Sequence, residues 1–124
     1  MRLLLFFCCL LAFGASAQET PYTNNTDTVT QTIYTTYYAQ KFEGRKTTSG
    51  ERYRAAKFTA AHRTLPFGTI LKVRNLRNGK TVEVRVNDRG PFSKKFSLDL
   101  SRAAAKALGI YGLGYARVQI SYVP

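Results

Sequence analysis

The sequence is poor in the residues that most catalytic and metal chemistry needs. It has no Trp, a single His (His62), one Met and four Pro. Its only cysteines are Cys8 and Cys9. A zinc site takes three or four His, Cys or carboxylate ligands, and one His makes such a site improbable. Beyond residue 9 there is no thiol, so a Cys nucleophile and a disulfide are both excluded there. No Gly-x-Ser-x-Gly segment, Walker loop or Gly-x-Gly-x-x-Gly run occurs, which removes the common serine-hydrolase and nucleotide signatures. Acidic residues are also few, 7 Asp+Glu against 19 Lys+Arg. The net charge of +12 favours contact with polyanions but is silent on fold.

What is present begins with a leader. Arg2 supplies a short basic start, Leu3 to Phe13 is apolar, and Ala15-Ser16-Ala17 fits cleavage after Ala17. The apolar run is too short for a permanent transmembrane helix. Bulky Phe6 and Phe7 precede the cysteines, so a lipid anchor on Cys8 or Cys9 is not expected. Residues 1–17 are therefore read as a signal peptide. The remaining chain has 18 basic and 7 acidic side chains, leaving +11, and must be held by its core alone. Export across the inner membrane to a bacterial periplasm or cell envelope, without a stable membrane anchor, is the expectation.

Residues 18–32 read as a tether. Six of these fifteen are Thr, and Pro21 and Asn24-Asn25 interrupt any period. The domain is expected over 33–124. Ile33–Ala39, Lys57–Ala61, Thr69–Asn75, Thr81–Asn87 and Ala116–Tyr122 are strand-like. Asn78-Gly79 predicts a hairpin between the third and fourth. One helix is expected over Arg102–Leu108, with Ser101 as N-cap and Gly109 just past its end. Short strands with a single helix point to a small β-barrel.

With metal and thiol chemistry set aside, carboxylates remain. The domain has five: Glu43, Glu51, Glu83, Asp88 and Asp99. Asp88 lies where a strand gives way to Arg89-Gly90-Pro91, a position held firmly yet able to face a groove. From position alone a turn residue paired with Arg89 on the surface is the stronger reading. Glu51 follows the polar Thr47-Thr48-Ser49-Gly50 stretch and by itself resembles a solvated loop residue. Asp99 sits between Leu98 and Leu100, as a helix-terminus residue or part of a site. His62, after Thr59-Ala60-Ala61, has the context of a hydrogen-bonded structural histidine. Tyr37, Tyr38 and Phe42 serve either a sugar-stacking platform or the core.

Taken together, Tyr37-Tyr38, Ser49-Gly50-Glu51, Ala60-Ala61-His62, Leu65-Pro66-Phe67-Gly68-Thr69, Asn87-Asp88-Arg89-Gly90-Pro91-Phe92 and Leu98-Asp99-Leu100-Ser101 resemble the rare lipoprotein A (RlpA) family. The resemblance spans Ile33 to Ser121. It implies a mainly β fold, a six-stranded double-psi β-barrel of the barwin and expansin type with one short helix. It also implies lytic transglycosylase activity on peptidoglycan glycan strands lacking stem peptides, giving 1,6-anhydromuramyl ends without a cofactor. Glu51 and Asp88 fall on the positions expected to be catalytic, with Asp88 as proton donor if burial raises its pKa. His62, Tyr37, Tyr38, Asn87, Arg89 and Asp99 are the expected substrate contacts, and no metal is expected. The family's frequent C-terminal SPOR domain finds no counterpart before Pro124, so septal targeting through it is not expected. A monomer is anticipated, with peptidoglycan and not nucleic acid as partner. The competing readings are an expansin-like module that grips glycan without cutting and a charge-driven polyanion binder.

Overall fold

A computed structural model describes residues 27–124. The expected signal peptide, both cysteines and the first part of the tether lie outside the described residues. The strands are β1 (Val29–Tyr37), β2 (Thr59–His62), β3 (Ile70–Asn75), β4 (Thr81–Asp88), β5 (Leu98–Leu100) and β6 (Ala116–Tyr122). One helix, α1 (Arg102–Ala107), and a 3-10 turn over Gln40–Phe42 complete the described elements. The strands close into a barrel in the order β1-β5-β2-β4-β3-β6. Two of the six pairings, β1 with β5 and β2 with β4, are parallel. The remaining four are antiparallel.

The core follows from alternation. Leu71 and Val73 on β3, Val84 and Val86 on β4, and Val118 and Ile120 on β6 point inward and are fully buried. Leu98 and Leu100 add the β5 layer, and Ala104, Ala105, Leu108 and Ile110 extend the same cluster beneath α1. The four alanines of α1 carry little side-chain entropy, and buried Ala104 and Ala105 let the helix lie close to the barrel.

Beyond shifts of one or two residues at several ends, one strand start and one whole strand differ from expectation. β1 starts at Val29, not Ile33, because Val29 to Thr32 pair with Tyr122 to Gln119 on β6. Thr-rich sequence is as compatible with a strand as with a tether, and a partner strand decides the matter. β5 is only three residues long and holds its place between two neighbours, so no periodicity announces it.

The hairpin forms, but with a longer turn than Asn-Gly suggests. Gly79 is left-handed at φ 75° whereas Asn78 is not, and the Gly79 N–H reaches the Asn75 carbonyl at 2.8 Å. That turn also finishes the helix. Asn75 and Asn78 donate their side-chain amides to the Leu108 carbonyl at 2.9 and 3.0 Å. The carbonyl would otherwise be one of the helix's orphan acceptors. At the other end Ser101 caps α1 as expected, its Oγ accepting from the Ala104 N–H at 3.3 Å.

Candidate active site

β2 brings the important residues together. Ala61 pairs with Asp99 on one side and with Asp88 on the other. Thr36 on β1 pairs with Asp99 in turn. The result is a lateral row, Thr36–Asp99–Ala61–Asp88, with the two carboxylates two strand spacings apart, roughly 10 Å between backbones. The β2–β4 register slips between Ala60 and Ala61, where Val86 is followed by Asp88 as the next partner. Asn87 is thus the extra residue, and the bulge sets Asp88 opposite Ala61. Ala61 is buried and contributes only a methyl between the two acids.

Asp88 and Asp99 both line a groove of about 650 Å³. Its walls include Tyr37, Tyr38, Phe42, Phe92 and Phe96. Phe92 stands at the rim 86% exposed, a large apolar face with no packing role to explain it. It follows the cis Gly90–Pro91 bond. Gly90 has φ 132°, a conformation L side chains rarely adopt, and a methyl there would lie 4.0 Å from the Asp99 carboxyl.

The two acids are driven in opposite directions. Asp99 has its pKa raised to about 6, first by burial and then by the nearby Asp88 charge. Burial pushes Asp88 upward too, but hydrogen bonds more than offset it and hold its carboxyl below the usual range. The Thr48 N–H and the Arg89 N–H each donate to Asp88 Oδ1 at 2.8 Å. The Tyr38 hydroxyl donates to Oδ2. The Tyr38 pKa is raised, by burial and then by Asp88, so this phenol stays a donor. Its ring is stacked on buried Tyr53 at 4.3 Å, which fixes where the hydroxyl points. The condition attached to Asp88 as proton donor, a pKa raised by burial, is not met: its hydrogen bonds outweigh burial, and the lifted carboxyl is Asp99.

Glu51 does not line that groove. Both its oxygens accept from the Arg85 guanidinium, at 2.8 and 2.7 Å, and Asn87 Nδ2 approaches at 3.3 Å. The Arg85 and Asn87 hydrogen bonds bring the Glu51 pKa down to about 2. Its link to Asp88 runs through the backbone. The Thr47–Glu51 loop closes on itself through the Thr47 N–H and the Glu51 carbonyl at 2.7 Å, and hands the Thr48 N–H to Asp88.

The other expected substrate contacts divide. Tyr37 and Tyr38 line the groove; Tyr37 also donates its hydroxyl to the Tyr111 carbonyl at 2.6 Å. Arg89 lies along it, but its guanidinium is committed to the His62 and Leu65 carbonyls and stacks 4.0 Å over Phe67. Asn87 is buried beneath Glu51. His62 lies outside the groove lining, and its Nδ1 accepts the Thr64 and Leu65 N–H groups at 3.2 and 3.1 Å. Burial, then Arg63 and Arg89, lowers its pKa and favours the neutral ring. Phe92 and Phe96 were not among the expected contacts; the exposed Phe after Gly-Pro was the available signal for the first. Among the described residues no cluster of His, Cys, Asp and Glu could hold a metal ion.

Residues 30–120 match the lytic transglycolase family. The chain belongs to that family. Among relatives of this lytic transglycolase domain is the probable endolytic peptidoglycan transglycosylase RlpA of Treponema pallidum. It is 54% identical over 87 residues, covering 70% of this chain and 27% of that protein. The endolytic peptidoglycan transglycosylase RlpA of Neisseria meningitidis serogroup A is 50% identical over 94 residues, covering 76% of this chain and 39% of that protein. The chain thus spans between about a quarter and two fifths of these curated relatives. The RlpA resemblance drawn from the motifs stands. In fold, the domain superimposes on an expansin from Clavibacter michiganensis with a TM-score of 0.62 at 24% identity, covering 77% of this chain and 51% of that one. The Streptomyces papain inhibitor superimposes with a TM-score of 0.63 at 24% identity, covering 77% of this chain and 96% of that one. The double-psi β-barrel expected from the motifs is the fold observed.

Proposed function

We propose that this chain is a lytic transglycosylase that cuts the MurNAc–GlcNAc bond of peptidoglycan glycan strands in the bacterial cell envelope. The observation that carries the reading is the pair Asp88 and Asp99: one groove, two carboxyls, pKa values pushed apart. The family membership and the named activity of the relatives point the same way.

Asp99, protonated to about pH 6, gives its proton to the departing GlcNAc O4 as the bond to muramyl C1 breaks. Asp88, held as the anion by three donors, faces the positive charge that grows on C1. The muramyl C6 hydroxyl attacks C1 and its proton passes to Asp88, so the product is a 1,6-anhydromuramyl end and no water is consumed. The cycle resets when solvent carries that proton from Asp88 back to Asp99. Phe92, Tyr37 and Phe96 offer faces on which the apolar sides of pyranose rings stack. Glu51 acts through the loop that supplies the Thr48 N–H.

The test is digestion of purified sacculi with the full chain, followed by mass spectrometry of soluble products. Anhydro ends, lighter by one water than hydrolysis products, are expected. Hydrated reducing ends would make the protein a hydrolase, and binding without fragments would make it an expansin-like module.

A further inference from the structure

A second cleft, of about 450 Å³, lies outside the carboxylate groove and has no part in the chemistry above. It sits where β1, β6 and the end of β3 run side by side. Tyr34 on β1 pairs with Arg117 on β6. The Leu76 N–H, just past β3, meets the Arg117 carbonyl at 3.5 Å. The lining is Tyr34, Leu76, Arg77, Leu113, Tyr115 and Arg117, with Asn75 and Ala116 at the floor.

Three features point to a ligand. Tyr34, Leu76, Leu113 and Tyr115 are all more than two fifths exposed, an open apolar surface gathered in one hollow. The Arg77 and Arg117 guanidinium groups have no ion pair or hydrogen bond among the described residues, and no carboxylate lines the cleft. Lastly, the hollow joins the catalytic groove. Tyr115 packs on Phe96 with ring centroids 6.0 Å apart, and Phe96 is a wall of that groove. Lys95 Nζ covers the junction, 4.2 Å from the Tyr115 ring and 5.5 Å from Phe96.

We propose that this cleft is a distal subsite for the same glycan strand, in which Tyr34 and Tyr115 stack a pyranose ring and Arg77 and Arg117 bind its free carboxylate. The inference rests on the reading that a glycan strand occupies the carboxylate groove. Aromatic faces suit the C–H face of a sugar, and guanidinium forks suit a carboxylate. An uncharged sugar would make no use of the two exposed guanidinium groups at the edge of the hollow. A nucleic acid fits worse, because it carries a charge at every unit and its path along the groove would pass the Asp88 anion. A glycan with an acidic group on alternate sugars places a carboxylate in the distal cleft while carrying one charge for every two units, half the density of a nucleic acid.

The experiment measures binding separately from cutting. The full chain carrying Asp99→Asn is titrated with peptidoglycan strands freed of stem peptides, with chitohexaose, and with a single-stranded oligonucleotide. Arg77→Gln/Arg117→Gln is then added, and in parallel Lys72→Gln/Arg74→Gln, an equal loss of charge on the outward face of β3. The Arg77/Arg117 pair is expected to weaken binding of the acidic strands about tenfold and chitohexaose about twofold or less, with the Lys72/Arg74 pair near unchanged. Equal losses from both pairs would assign the effect to net charge and overturn the subsite. So would unchanged strand binding, no strand binding by the parent, or a loss confined to the oligonucleotide. Because no cleavage is read, an inactive wild type whose strand binding still depends on Arg77 and Arg117 would sink the transglycosylase assignment and leave the subsite standing.

Discussion

Asp99 is the residue whose behaviour is most exposed to measurement. In the proposed role of acid it must be protonated, while Asp88 must not be. Activity is therefore expected to fall as pH rises through about 6, and to fall on the acid side as Asp88 protonates below its usual range. Asp99→Asn is expected to lower kcat by at least a hundredfold while leaving strand binding within about threefold. The same substitution has a stability signature of definite sign. Below the unfolded-state pKa of an aspartate both states hold the proton and nothing is lost. Between there and about 6 the unfolded chain ionises first, so stability declines as pH rises and the decline is complete above 6. Asp99→Asn is expected to raise stability at pH 7.5 by about 1 kcal/mol, discounted for partial solvent contact, and not at pH 3.5. Denaturant midpoints at the two pH values check it. Glu51→Gln makes the opposite kind of change. With its pKa near 2, Glu51 does not titrate in the working range, so its loss is expected to lower kcat about tenfold without moving either limb of the pH–rate curve. A shifted alkaline limb would make Glu51 the acid. Asp88 and Glu51 were legible as candidates because their motifs are long and ordered. How each is held was not, since that depends on who donates to Asp88 and on where the Arg85 side chain lies, and neither leaves a trace in residue order.

Among the elements, α1 and the β3–β4 hairpin depend on each other. Gly109 is left-handed at φ 74°, and a Cβ there would lie 2.9 Å from Asn78 Nδ2. Gly109→Ala would strain the backbone and push away an amide that satisfies the Leu108 carbonyl. A loss of about 2 kcal/mol is expected, read as a Tm decrease of roughly 8–16 °C. Asn78→Ala, which removes only the amide, is expected to cost about half as much. The helix, its Ser101 cap and the hairpin were all readable, because capping chemistry and alternation are local. β5 was not: three residues have no period, and Leu98 and Leu100 are strand residues only because β1 and β2 flank them. The strand start at Val29 escaped for the same reason, its partner lying at the far end of the chain.

For the molecule as a whole, charge and topology matter separately. The net charge of +12 is expected to make association with anionic sacculi weaken as salt rises, because a large part of it is long-range attraction. Cosedimentation between 50 and 500 mM NaCl measures this; a flat response would place the binding energy in the groove contacts alone. The closed barrel order was available only through the family's motifs, since alternating strands define faces but not neighbours.

The row Thr36–Asp99–Ala61–Asp88 takes one residue from each of four strands. Those strands are scattered over more than half the described chain, and β2, made before β4 and β5, must end up wedged between them. No hairpin of consecutive strands can hold both acids side by side; the three strands β5, β2 and β4 must be assembled together. The facing pair of carboxyls therefore exists only once β5, the last of the three to be made, has joined β2, and it is lost when any one of the three strands leaves.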